Sequence, residues 1–166
     1  MNGTMLRGAA VTASALTAFG FAAAPGGAAE PALLSHYYDS GTEIVPTPGT
    51  ACGPGGDAIS GRATFGTRAG DVWRGTTAYT YCLYPEATPG RYRYVGVETL
   101  TGSAGACGRG TFTWIGRGST TEGGTWHIAV GSGTGDLTRA RGSGTNTATT
   151  SPTWENYGTF SGVFSC

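Results

Sequence analysis

Past residue 30 the chain breaks into short runs in which apolar and polar side chains alternate. The clearest runs are Ile59–Phe65, Gly75–Tyr84, Arg91–Leu100, Gly110–Arg117, Thr125–Val130, Leu137–Thr145 and Trp154–Phe164. A weaker run lies in Leu33–Val45, interrupted at Ser40–Gly41. Turn-forming stretches separate them: Pro46–Gly56, Gly66–Asp71, Pro85–Gly90, Gly102–Gly108, Gly118–Gly124, Gly131–Asp136 and Asn146–Pro152. A period of two places alternate residues on opposite faces of a strand. Trp126, Ile128 and Val130 therefore share one face, and Thr125, His127 and Ala129 the other. Phe112, Trp114, Trp126, Phe160 and Phe164 alternate as the lining of a closed sheet would. Eight strands on short links predict an antiparallel meander. Closure into an eight-stranded up-and-down barrel hides the edges of such a sheet; a sandwich fits the same spacing.

The first thirty residues follow another pattern. Arg7 is the only charged side chain before Glu30, and Gly8–Ala24 is apolar but light. That run is shorter than the ~20 residues a membrane span needs. A basic start, an apolar middle and small residues at Gly27-Ala28-Ala29 describe a secretory signal. The expected cut follows Ala29; a cut after Ala24 is the lesser choice, because Pro25 would follow the scissile bond. Residues 30–166 then form one extracellular domain.

Composition narrows the function classes. Glycine supplies 31 of 166 residues, a density that disfavours long helices. Ten arginines balance ten acids, with no lysine. Removal of Arg7 with the signal leaves a net charge near −1, which offers nothing to nucleic acid or to an anionic membrane. Cys52, Cys82, Cys107 and Cys166 are an even set in an exported chain, which favours disulfides. Zinc is disfavoured, since no two of them stand as a close-spaced pair and only His36 and His127 could assist. The pairing follows from the meander, in which successive loops alternate between barrel ends. Cys52 and Cys82 fall at one end, Cys107 and Cys166 at the other, and a strand length of ~17–20 Å separates the ends. The expected bridges are Cys52–Cys82 and Cys107–Cys166.

The stretch YRYVGVETLTGSAGACGRGTFTW, followed by GGTWHIAVGSGTGDLTRARGSGT, carries a family resemblance. Its features are Gly96-x-Glu98, Gly102, Gly108-x-Gly110-x-Phe112, Gly124-x-Trp126, the run Gly131 to Leu137, and Arg141-Gly142. Over residues 91–145 the chain resembles a group of small bacterial domains of unknown function. That group is placed with the allene-oxide-cyclase-like barrels, among them the plant dirigent proteins. The resemblance implies an eight-stranded barrel and no particular activity. The export signal and the four cysteines depart from the group's usual pattern.

Few residues carry chemistry. The run GSGTGDLTRARGSG lacks both a following helix and a Gly-Lys-Ser/Thr ending, so it reads as a hairpin turn with Gly133 and Gly135 at positive φ rather than as a phosphate loop. No Gly-x-Ser-x-Gly elbow occurs. His127 belongs to the solvent face of its strand. Glu98 shares a face with Tyr92, Tyr94 and Gly96, opposite Arg91 and Arg93. If the arginines mark the outside, Glu98 points into the barrel beside the two tyrosines. An inward carboxylate needs partners or stays partly protonated. Glycines at 110, 116, 124, 158 and 162 leave room in the lumen. The expectation is a cofactor-free barrel binding a small apolar or aromatic molecule, with Tyr92, Tyr94, Trp114 and Trp126 as ligand contacts. The alternatives are a cofactor-independent cyclase or isomerase with Glu98 as its acid–base group, and a secreted protein-binding or inhibitor surface.

Overall fold

The computed structural model describes residues 32–40, 45–46, 52–150 and 155–166. The signal segment 1–29 and its cleavage site lie outside these residues. The strands are β1 (Ala32–Asp39), β2 (Val45–Pro46), β3 (Asp57–Phe65), β4 (Trp73–Pro85), β5 (Tyr92–Ala104), β6 (Arg109–Ser119), β7 (Gly123–Ile128), β8 (Arg141–Asn146), β9 (Thr149–Thr150) and β10 (Asn156–Ser165). Eight of them, all but β2 and β9, form a closed antiparallel barrel in up-and-down order. Strand β1 pairs with β10 from Ala32↔Val163 to Asp39↔Asn156. It also meets β3 at Tyr37↔Phe65 and Tyr38↔Thr64, which closes the ring. The two short strands extend the sheet beside the starts of β3 and β10.

Among the described residues the closing seam has only those two ladder pairs, and loop 66–72 reinforces it. Gly66 N–H donates to His36 O at 3.1 Å, and Val72 N–H to Leu34 O at 3.1 Å. Trp73 N–H donates to the buried Ser35 Oγ at 2.7 Å. His36 Nδ1 meets Asp71 Oδ1 at 2.6 Å. Burial acts to raise the Asp71 pKa, but hydrogen bonds from His36 and the Arg68 amide hold it below its ordinary value.

Several strands run past the glycines that look like turns in the sequence. Strand β5 continues through Gly102 to Ala104, and β4 begins at Trp73 rather than Gly75. Gly75 and Gly102 face each other across the ladder. A Cβ on Gly102 would stand 2.0 Å from Arg74 O, so these two glycines let strongly coiled strands approach rather than end them. The strand expected from Leu137 starts later, at Arg141, because residues 135–137 form a 3₁₀ turn. In that loop Gly131 and Gly135 take positive φ, while Gly133 does not. Gly133 instead packs on Leu137, where a Cβ would lie 1.9 Å from the carbonyl oxygen. Strand β7 ends at Ile128, which leaves Val130 fully exposed instead of inside.

Both disulfides form as the meander requires. Cys52–Cys82 spans 5.4 Å between Cα atoms and ties the start of β3 to the end of β4. Cys107–Cys166 spans 5.9 Å and ties the β5–β6 turn to the C-terminus at the opposite end.

Candidate functional site

The inward positions divide the lumen into two halves. At the Cys107–Cys166 end seven rings, Phe65, Trp73, Phe112, Trp114, Trp126, Phe160 and Phe164, form a plug, each no more than 5% exposed. Trp73 sits at its centre, with ring centroids 5.0 Å from Phe112, 5.2 Å from Trp114 and 5.1 Å from Trp126. Offset and edge-to-face rings at such distances pack without voids. These rings fill this half of the lumen.

Toward the other end the same alternation delivers different side chains. Tyr79, Tyr81 and Leu83 follow Thr77 on the inner face of β4; Tyr37 and Asp39 come from β1, Tyr94 and Glu98 from β5. They surround a cup that opens at the barrel mouth and leaves about 90 Å³ for the centres of solvent molecules. Trp114 and Phe160 form its floor, and Ile59, Ala63 and Leu83 supply apolar wall. Inward glycines make room for the tyrosines. A Cβ on Gly61 would lie 2.3 Å from Tyr79 Oη, one on Gly124 2.7 Å from Tyr94 Oη, and one on Gly158 2.9 Å from Tyr37 Cε1. At Gly116, on the cup's lining, a Cβ would make only ordinary contacts, 3.6 Å from Tyr81 Oη.

Glu98 is 6% exposed at the base of the cup. Thr77 Oγ1 donates to its Oε1 at 2.5 Å and Tyr81 Oη to its Oε2 at 2.7 Å. Burial pushes its pKa up to about 7; the two hydrogen bonds oppose this, and the nearby charge of Asp39 adds to it. Asp39, also buried, accepts a hydrogen bond from Tyr79 Oη. Burial, with the negative field of Glu98, raises the Tyr81 hydroxyl well above its ordinary value. Tyr94 is raised by burial despite its bond to Asn146. Tyr94 Oη and Asn146 lie within hydrogen-bonding distance in both directions, at 2.9 and 3.1 Å. Tyr37 Oη donates to Asn156 Oδ1 and to Thr147 O, each at 3.2 Å. A carboxyl group that exchanges its proton near neutrality, among hydroxyls that remain protonated, can give or take one proton or meet a charged ligand.

The residues singled out by sequence divide accordingly. Glu98, Tyr94 and Trp114 line the cup together. Tyr92 is half-buried beyond its lining, with its amide donating to Thr120 Oγ1. Trp126 belongs to the plug, its Nε1 donating to Thr145 O. His127 is exposed. Asp39, Thr77, Tyr79 and Tyr81 went unrecognised, although Thr77, Tyr79 and Tyr81 alternate within TTAYTYCLY. Among the described residues no group of three or more His, Cys, Asp or Glu could hold a metal ion. Among them, too, no helix is long and apolar enough to cross a membrane.

Comparison with known proteins adds the fold but no chemistry. Residues 58–157 match a family described as protein of unknown function (DUF3224). A solved structure of a protein of unknown function from that family, from Shewanella oneidensis MR-1, is 18% identical with a TM-score of 0.55. The match covers 82% of this chain and 99% of that one. No curated protein matches the chain.

Proposed function

The chain belongs to the DUF3224 family of proteins of unknown function, and we propose that it is an exported barrel that binds one compact small molecule in the open half of its lumen. The observation that carries this reading is the cup itself, a cavity open at one end and closed at its base by a buried, hydrogen-bonded carboxyl group. A concave, mostly apolar site with a few convergent polar groups is the usual form of a small-molecule site. At about 90 Å³ it is smaller than common ligand pockets, so the occupant has a small branched or single-ring body and one polar group reaching Glu98. Two disulfides support export, since such bonds persist in oxidising compartments. We also read the family as part of the allene-oxide-cyclase-like barrels, a placement supported by the closed eight-stranded meander.

Tyrosine side-chain NMR during a screen of compact branched and single-ring compounds tests the binding reading. Shifts at Tyr37, Tyr81 and Tyr94 are expected, and Gly116→Val, which adds bulk on the cup's lining, should abolish them. Shifts that survive in that variant would reject lumen binding.

The buried Glu98 favours a second reading, a cofactor-free cyclase or isomerase. Confinement would position a reactive substrate while Glu98 gives or takes a proton. Turnover lost in Glu98→Gln with binding retained would establish it, and turnover indifferent to that change would end it.

A further inference from the structure

Resting on the lumen-binding reading above, we propose that the occupant of the cup is a compact organic cation, a small alkylammonium or protonated amine. Charge is the first argument. Asp39 and Glu98 both line the cup, and none of its lining residues is Arg, Lys or His. Residues 39–61 and 142–166 contain no Arg, Lys or His, and Arg91, in the turn between β4 and β5 at the same end, is held by Glu86 at 3.5 Å and by Glu122.

The second argument is the supply of hydrogen-bond donors. The hydroxyls of Thr77 and Tyr81 are spent on Glu98, and that of Tyr79 on Asp39. Tyr37 donates to Asn156 and Thr147, and Tyr94 pairs with Asn146. With these five hydroxyls engaged inside the wall, the cup presents an entering molecule with acidic side chains and ring faces. An anion would find two acids and little to bind it; a cation finds both of the features it prefers.

The third argument is the rings. Tyr79 and Tyr81 lie with centroids 5.3 Å apart at 35°, and Tyr81 and Tyr94 at 5.4 Å and 71°. They form a bent aromatic wall beside the two carboxyl groups. The negative face of an aromatic ring attracts a cation, most strongly where water is excluded. Ile59 and Ala63 on β3 and Leu83 on β4, beside these rings, accept the methyl groups of an alkylated ammonium.

Tetramethylammonium and tert-butyl alcohol have the same branched shape and differ in charge, so they make the test. At about pH 8, titration of the full mature chain followed by tyrosine NMR should show tetramethylammonium binding about tenfold more tightly. Asp39→Asn and Glu98→Gln should each remove most of that preference, weakening the cation far more than the alcohol. Two variants are used so that a folding defect in one does not decide the matter.

Lowering the pH to about 6 should weaken the cation, because Glu98 takes up a proton near 7. The titratable groups facing Glu98 are Asp39 and Tyr37 from β1, Tyr79 and Tyr81 from β4 and Tyr94 from β5. Strands β6, β8 and β10 present Trp114, Asn146 and Phe160, which do not titrate. Equal affinity for the two probes in the cup would overturn the cation inference and leave lumen binding standing. Shifts that persist for both probes in Gly116→Val would overturn both.

Discussion

The plug and the cup are drawn from the same strands by the same alternation, yet they have opposite consequences. Strand β4 runs from Trp73, fully buried in the plug, to Tyr79, Tyr81 and Leu83 around the cup. Strand β5 runs the other way, from Tyr94 and Glu98 in the cup to Leu100 and Ala104 in the plug. Seven interlocked rings fill the plug, while four tyrosines backed by glycines leave the cup open. An eight-stranded barrel is only just wide enough to be filled by side chains or to hold one small ligand. This molecule is filled by side chains at one end and keeps a cup at the other. The plug gathers most of the large buried apolar side chains, while the other half holds a carboxyl group whose ionisation works against folding.

The largest test of that division is Trp73→Ala. It removes the central ring of the plug and should lower the unfolding free energy by about 3–5 kcal/mol, measured by denaturant titration. A loss as small as that expected for a surface change would mean that the plug is not the main core.

The disulfides come next, one at each end. On the chain-entropy model, Cys107→Ser with Cys166→Ser, which opens a separation of 59 residues, should cost about 4 kcal/mol. Loss of Cys52–Cys82, with a separation of 30, should cost about 3.5 kcal/mol. Reversal of that order would show strain or denatured-state structure outweighing loop length.

Glu98 sets the next effect. Its folded pKa stands above its unfolded value, so the folded chain holds the proton more tightly between about 4.5 and 7. The contribution is fully present below the lower value and is lost as pH rises through the upper one. The loss amounts to about 3 kcal/mol. Unfolding midpoints of Glu98→Gln should show none of this decline. Asp71 acts in the opposite sense: its lowered pKa stabilises the fold above the ordinary aspartate range and fails as acid protonates it.

The smallest contrast compares two glycines. Gly102→Ala near the plug would drive a Cβ to within 2.0 Å of a backbone carbonyl and should cost about 1–3 kcal/mol. Gly116→Ala in the cup meets ordinary contacts and should change stability by less than about 1 kcal/mol. Thermal melts of the two proteins measure the difference.

Strand count, closure and both disulfides were legible because each rests on period-two alternation and on the direction of successive strands. The inward turn of Glu98 was legible for the same reason, from the arginines opposite it. Its partners were not, because Thr77 and Tyr81 reach it from across a ladder whose register the sequence does not state. Trp73 escaped notice because Gly75 looks like the start of its strand, whereas the glycine faces Gly102 in mid-ladder. The 3₁₀ turn before Arg141 was read as a hairpin because its glycines satisfy either geometry. Tyr92 and Trp126 share the inward parity of true cup residues; their height along the barrel, which parity cannot report, removes them from it.

The central claim is that the open half of the lumen holds a dry carboxyl group at its base. A carbon-13 NMR titration of the glutamate side-chain carboxylates measures it directly. Glu98, assigned by its disappearance in Glu98→Gln, should titrate with a midpoint of about 7. A midpoint near the ordinary glutamate value of about 4.3 would place that carboxyl group in water and contradict the account.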